Sequence, residues 1–191
     1  TCSIMLLTSI QCHAQYHDNV WTFGYSFEPC DSTTDFGGSN LIFDEDIVTS
    51  EYHCRDIQFA GNLTASISDA EGNLKLMFNG CTINDAAHNI VLGSEDLLDI
   101  ESNFEEEWCG LGFNTPGGAF FLPDPYDVDR YYLFYRDLIQ INEQPYVLSD
   151  SFYVASILFE DDIPYVEYKE AIIQDTVSII GSSAVRHANG I

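Results

Sequence analysis

The amino-acid sequence predicts an all-β chain, and three observations carry that expectation. Apolar residues recur at period two or in short runs, each closed by Gly, Pro, Asn or Asp. Aromatic residues make up 14% of the 191 residues, and Tyr and Phe fit the pleated, half-buried surface of a sheet. After residue 117, four strand-like runs follow one another with turns between them. Such an antiparallel unit makes one blade of a β-propeller or one sheet of a sandwich.

The elements follow in order. The stretch 20–27 (VWTFGYSF) alternates and reads as a strand. Stretches 65–68 (ASIS) and 74–78 (LKLMF) read as a hairpin around Asp69-Ala70-Glu71-Gly72-Asn73, whose residues tolerate positive φ. Asn79-Gly80 closes the second strand and leaves room for a short third at 81–83. Four strands follow at 118–122 (GAFFL), 130–136 (RYYLFYR), 152–159 (FYVASILF) and 165–174 (YVEYKEAIIQ). A further strand begins at 183. One segment breaks the pattern: Leu97, Ile100, Phe104 and Trp108 fall at helical spacing after Ser94, a good N-cap. A short helix or an ordered loop is expected over 94–108.

Charge excludes some functions. The chain carries 31 Asp and Glu against 6 Lys and Arg, a net charge of −25. Unaided binding to a nucleic-acid backbone needs clustered Lys and Arg, which are absent, and an anionic membrane surface is disfavoured for the same reason. The apolar run 4–10 (IMLLTSI) is too short to span a bilayer. With Ala14 as a cleavage-site residue, 1–14 reads as a signal-peptide remnant, and the module as 15–191. Export makes Cys30, Cys54, Cys81 and Cys109 candidates for two disulfides, with three connectivities open. Their spacings are too wide for a zinc knuckle.

Candidate sites are few. Asp69, Glu71 and Asn73 alternate around Gly72 and supply the oxygen donors that Ca²⁺ prefers; the competing reading is a hairpin turn chosen for its backbone geometry. His53, His88 and His187 are scattered and form no metal motif. Trp21, Tyr25, Trp108, Tyr126 and Tyr135 suit either core packing or a face that binds sugars or peptides.

Four ordered motifs add a resemblance. The stretch 66–81 (SISDAEGNLKLMFNGC) matches a strand-turn-strand signature, followed by an Asn-to-His element at Asn84 and His88. Next come 118–125 (GAFFLPDP) with 131–134 (YYLF), and then 184–190 (AVRHANG). Together they resemble the amino-terminal part of large, uncharacterised, secreted, β-propeller-like multidomain proteins of bacteria that use type IX secretion, usually with a carboxy-terminal sorting domain. The resemblance implies about one and a half blades: the first over 20–92, the second over 117–176, and the start of a third over 183–191. It also implies a secreted or cell-surface location, with the remaining blades of the same polypeptide as neighbours. The function expected is binding or scaffolding, with adhesion as one role, towards a protein or glycan ligand. The alternative is an extracellular hydrolase acting on polysaccharide through a carboxylate pair.

Overall fold

The computed structural model describes residues 16–24, 38–44, 47–53, 65–98, 118–136, 139–140 and 147–177. The segment 1–14, Cys30, Cys54, Cys109, Tyr25, Trp108, His187, the 99–108 half of the expected helix and the 183–191 strand lie outside them. The fold is all-β, with three antiparallel sheets and, among the described residues, one 3-10 turn at Tyr16–Asp18. The first sheet has the order β1 (Val20–Gly24), β2 (Gly38–Asp44), β3 (Ile47–His53). The second is a meander of β4 (Ala65–Ser68), β5 (Leu74–Phe78) and β6 (Ile83–Asp85). The third runs β11 (Ile163–Val177), β10 (Val147–Glu160), β8 (Arg130–Arg136), β7 (Ala119–Pro123), with β9 (Ile139–Gln140) on β10.

The strands expected after residue 117 therefore form one sheet in the order in which they were read. The stretch expected as a first blade, 20–92, instead carries strands of two sheets. Residues 94–98 form a turn and not the start of a helix. The cause is visible locally: Ser94 spends its hydroxyl on the Ile83 carbonyl (3.2 Å), not on capping. Leu97 and Leu98 then drop into the core. The third short strand begins at Ile83, not Cys81, because Asn79 Oδ1 accepts the N–H groups of Cys81 (2.9 Å) and Thr82 (2.8 Å) and prolongs the turn.

The second and third sheets face each other across one core. Alternation on β8 sends Tyr131, Leu133 and Tyr135 inward. They meet Phe121, Tyr153, Ala155 and Ile157 of their own sheet and Ile67, Leu76, Phe78 and Ile83 of the facing one. Tyr135 is fully buried, stacks on Tyr153 at 5.5 Å and meets Phe78 at 5.8 Å. The two sheets join at one edge, where Leu92 bridges to Tyr165 in parallel and Val166 N–H donates to the Leu92 carbonyl (2.9 Å). At the other edge β4 runs beside β7. Leu97 caps the gap: its carbonyl accepts the Tyr135 hydroxyl (2.7 Å) and the Lys169 ammonium (3.1 Å).

The β10–β11 hairpin turns on two residues, Asp161 and Asp162, both at positive φ (49° and 65°). This is the type I′ geometry, in which glycine at the second position removes the Cβ clash that every L-residue meets there. Asp162→Gly is expected to stabilise the protein by about 1 kcal/mol. In a chain of this size that is a rise of about 2–4 °C in Tm, read by thermal denaturation.

Candidate functional site

The first sheet carries the most exposed aromatic surface among the described residues. Its register sets Trp21 opposite Leu41 and Leu41 opposite Ser50, Phe23 opposite Ser39 and Ser39 opposite Tyr52, and Phe43 opposite Val48. Successive side chains point to opposite faces of a sheet. Val20, Thr22 and Asn40 thus share a buried face, while Trp21, Phe23, Phe43, Val48 and Tyr52 share the other. Trp21 is 48% exposed and Phe23 42%. The Trp21 ring lies 5.1 Å from that of Phe43 and 6.3 Å from that of Phe23, tilted against both. Ring pairs in this geometry are worth about 0.5–1.5 kcal/mol beyond their buried area. The platform is therefore held in place by its own rings while keeping an open surface.

The buried face ties this sheet to the body. Ser66 Oγ donates to the Val20 carbonyl (2.9 Å), the His17 ring nitrogen Nδ1 lies 2.7 Å from the Ser68 carbonyl, and Asn19 Nδ2 donates to the Gly72 carbonyl (3.4 Å). Phe43 N–H closes the loop onto the Asn19 carbonyl at 2.9 Å. The aromatic platform thus sits on a sheet anchored to β4, and its rings lose little further freedom when a ligand docks.

No family model matches the chain, and searches of curated proteins and of solved structures find no significant match.

The remaining sequence-named residues fall elsewhere. Asp69 directs its carboxylate into its own turn. Oδ1 accepts the N–H groups of Glu71 (3.0 Å) and Asn73 (2.8 Å), and Oδ2 accepts the Asn73 amide (3.1 Å). The same device recurs sixteen positions on. Asp85 accepts the Asn89 N–H (2.8 Å) and amide (2.9 Å), with His88 at φ 72° where Gly72 stands at 89°. These oxygens organise two hairpin loops of one pattern, Asp-x-x-x-Asn. Among the described residues no group of three His, Cys, Asp or Glu is placed to hold a metal ion. Tyr135 belongs to the core, Tyr126 stands out on the β7–β8 loop, and Cys81 is buried and disulfide-bonded. No described helix is long and apolar enough to cross a membrane.

Sequence reasoning named Trp21 but missed its companions Phe23, Phe43, Val48 and Tyr52. The alternation Trp21-Thr22-Phe23 pointed to a strand without saying which face stays open. Strands β2 and β3 gave a weaker signal, since Leu41-Ile42-Phe43 is a continuous run and 47–52 mixes polar and apolar residues.

Charge–hydroxyl contacts lock the outer side of the third sheet. Arg130 donates to Ser156 Oγ (2.9 Å) and pairs with Glu167, whose carboxyl is held below its ordinary range chiefly by that hydrogen bond. Tyr132 donates to Asp124 Oδ2 (2.7 Å), which raises its hydroxyl pKa to about 12. Burial, reinforced by Asp69, Asp129 and Glu71, raises that of Tyr131 to about 12 as well. In the unfolded chain both ionise near 10. Their contribution to stability is complete below pH about 10 and is lost as pH climbs towards about 12, because only the unfolded state gains by releasing these protons. A denaturation midpoint measured against pH should fall across that window, and Tyr132→Phe should shrink the fall.

Proposed function

We propose that the chain is a binding and scaffolding module of a larger exported protein, and that the aromatic face of the first sheet holds its ligand. The observation that carries this reading is the clustering of Trp21 with Phe23 and Phe43 while nearly half of Trp21 stays open. Exposed rings in mutual contact present large area at low entropic cost. The hydroxyls of Ser39 and Ser50 share the face by register and offer hydrogen-bond partners beside the rings. A flat aromatic surface with hydroxyls suits a glycan or a protein loop.

The propeller reading belongs to the same proposal. Sheet β7–β8–β10–β11 has four antiparallel strands paired in chain order, as a blade does, with the short β9 at the side of β10, and both of its faces carry apolar rings. Tyr131, Leu133 and Tyr135 lie on the inner face. On the outer face Phe120 stacks on Phe134 at 5.0 Å, and Phe134 on Phe152 at 6.3 Å. A blade packed between two neighbours needs apolar residues on both faces. Export, cell-surface display and pairing of Cys81 with one of Cys30, Cys54 and Cys109 complete the reading, supported by the sequence signals above and by the disulfide state of Cys81.

The test is to probe arrays of neutral and charged glycans, and of surface proteins, with the whole chain. Retention by at least one class is expected. Absence of binding to every spot would refute the reading.

A further inference from the structure

One end of the two-sheet body gathers four turns. The loops 69–73 and 85–89 lie at the same end of the β4–β5–β6 meander, since one strand reversal separates each from the strand between them. The β7–β8 loop joins the β10–β11 hairpin there: Phe159 N–H donates to the Asp129 carbonyl (2.9 Å). Lys75, just after the first turn, sets its ammonium 4.4 Å from the centre of the Phe159 ring. The parallel bridge of Leu92 to Tyr165 brings the 90–92 segment alongside the start of β11.

This end carries five of the exposed large apolar side chains among the described residues. Tyr126 is 90% exposed, Val128 85%, Leu92 73% and Ile163 68%, with Ile90 beside them. The loop that carries the first two is stiff: Asp124 Oδ1 accepts the N–H groups of Tyr126 (2.8 Å) and Asp127 (3.2 Å). Hydrogen bonding to the Tyr126 N–H, and then to Tyr132, holds the Asp124 carboxyl below its ordinary range. The same loops carry exposed acids, among them Glu71, Asp129 and Asp161. The basic side chains beside them are engaged, Lys75 over Phe159 and Arg130 with Glu167 and Asp127.

Exposed apolar tips on pre-ordered loops, set among carboxylates, fit a partner that supplies both complements. We infer that this end docks a cationic protein segment, rich in Lys or Arg and carrying aliphatic side chains between the charges. The aliphatic groups cover Tyr126, Val128 and Leu92, and the ammonium or guanidinium groups face the acids. Charge complementarity speeds encounter and excludes acidic partners, while the apolar tips supply affinity. The residues of this surface differ from those of the Trp21 face, although the two regions adjoin where Asn19 Nδ2 donates to the Gly72 carbonyl (3.4 Å).

The probe is a fluorescent peptide of alternating lysine and leucine, with a lysine-only peptide of equal charge as its control, both titrated into the full chain. The mixed peptide is expected to bind at least about tenfold tighter than the control. Tyr126→Ser with Val128→Ser should remove that margin without lowering Tm, because both side chains are almost wholly exposed. Neutralising Glu71, Asp129 and Asp161 to their amides should weaken the mixed peptide further, whereas Glu170→Gln, on the β11 stretch away from this end, should not. Trp21→Ala should leave the margin intact. Equal binding of the two peptides, or a margin that survives the double serine substitution, would show only general attraction to a chain of net charge −25 and would overturn the proposal.

Discussion

Tyr135→Ala is expected to remove a large share of the protein's stability. Tyr135 is fully buried, stacks on Tyr153, meets Phe78 from the facing sheet and donates its hydroxyl to the Leu97 carbonyl. Truncation therefore opens a cavity at the centre of the only core that spans both sheets among the described residues, and loosens the segment that closes its edge. Large-to-small changes at aromatic core positions cost about 3–5 kcal/mol, against a total stability of about 5–15 kcal/mol for a domain. Tyr135→Phe separates the two contributions. It keeps the ring and removes only the hydroxyl, and Lys169 still donates to the same carbonyl. Its cost should be about 1 kcal/mol. Urea denaturation of the two variants checks both values. Equal midpoints for Tyr135→Ala and the unsubstituted protein would mean that the two sheets do not share this core.

Trp21→Ala is expected to weaken ligand binding at least about tenfold, the scale of a central aromatic anchor at an interface. The side chain is half open, so its removal should cost only about 1 kcal/mol of stability through lost contact with Phe43 and Phe23. Trp21→Phe should recover part of the affinity, since a ring remains beside Phe43. A fall in affinity that tracks a large loss of stability would instead identify Trp21 as a packing residue.

How far the residues announce this architecture differs from one sheet to another. The β7–β8–β10–β11 sheet was legible because its strands are apolar and aromatic runs closed by turn residues, Asp124-Pro125 after β7 and Asp161-Asp162 before β11. The β4–β5 hairpin was legible through Gly72, whose positive φ a five-residue turn requires. The second turn of the same pattern was hidden because His88 occupies the left-handed position, and histidine does not advertise it. Strands β2 and β3 were hidden for other reasons. All of 47–52 is exposed, so no buried face imposed a period on β3, and the buried positions Gly38 and Asn40 of β2 are not apolar side chains. The helical spacing of Leu97, Ile100, Phe104 and Trp108 left a short helix or an ordered loop open, and over 94–98 the loop holds because buried Ser94 and the Leu97 carbonyl serve as tertiary partners. The candidate site shows the same limit. Trp21 was visible as an aromatic on a strand, but its open companions come from register with β2 and β3, which pairing creates and composition does not reveal.

The outer face of the third sheet and the aromatic face of the first share a physical logic. Both keep rings in contact with one another, stacked on the third sheet and tilted on the first, which removes water from part of each ring and leaves the remainder for a neighbour. They differ in charge. Arg130, Glu167 and Asp124 bind hydroxyl groups beside the outer face, whereas the neighbours of Trp21 on its own face are rings, a valine, a leucine and hydroxyls.

The most direct test of the binding account is a calorimetric titration of the best array ligand into the unsubstituted protein and into Trp21→Ala, with thermal denaturation of both recorded under the same conditions. The account predicts a dissociation constant raised at least about tenfold in the variant, with both proteins folded at the titration temperature. An unchanged dissociation constant in a folded Trp21→Ala protein would contradict it, and would place the ligand on another surface of the molecule.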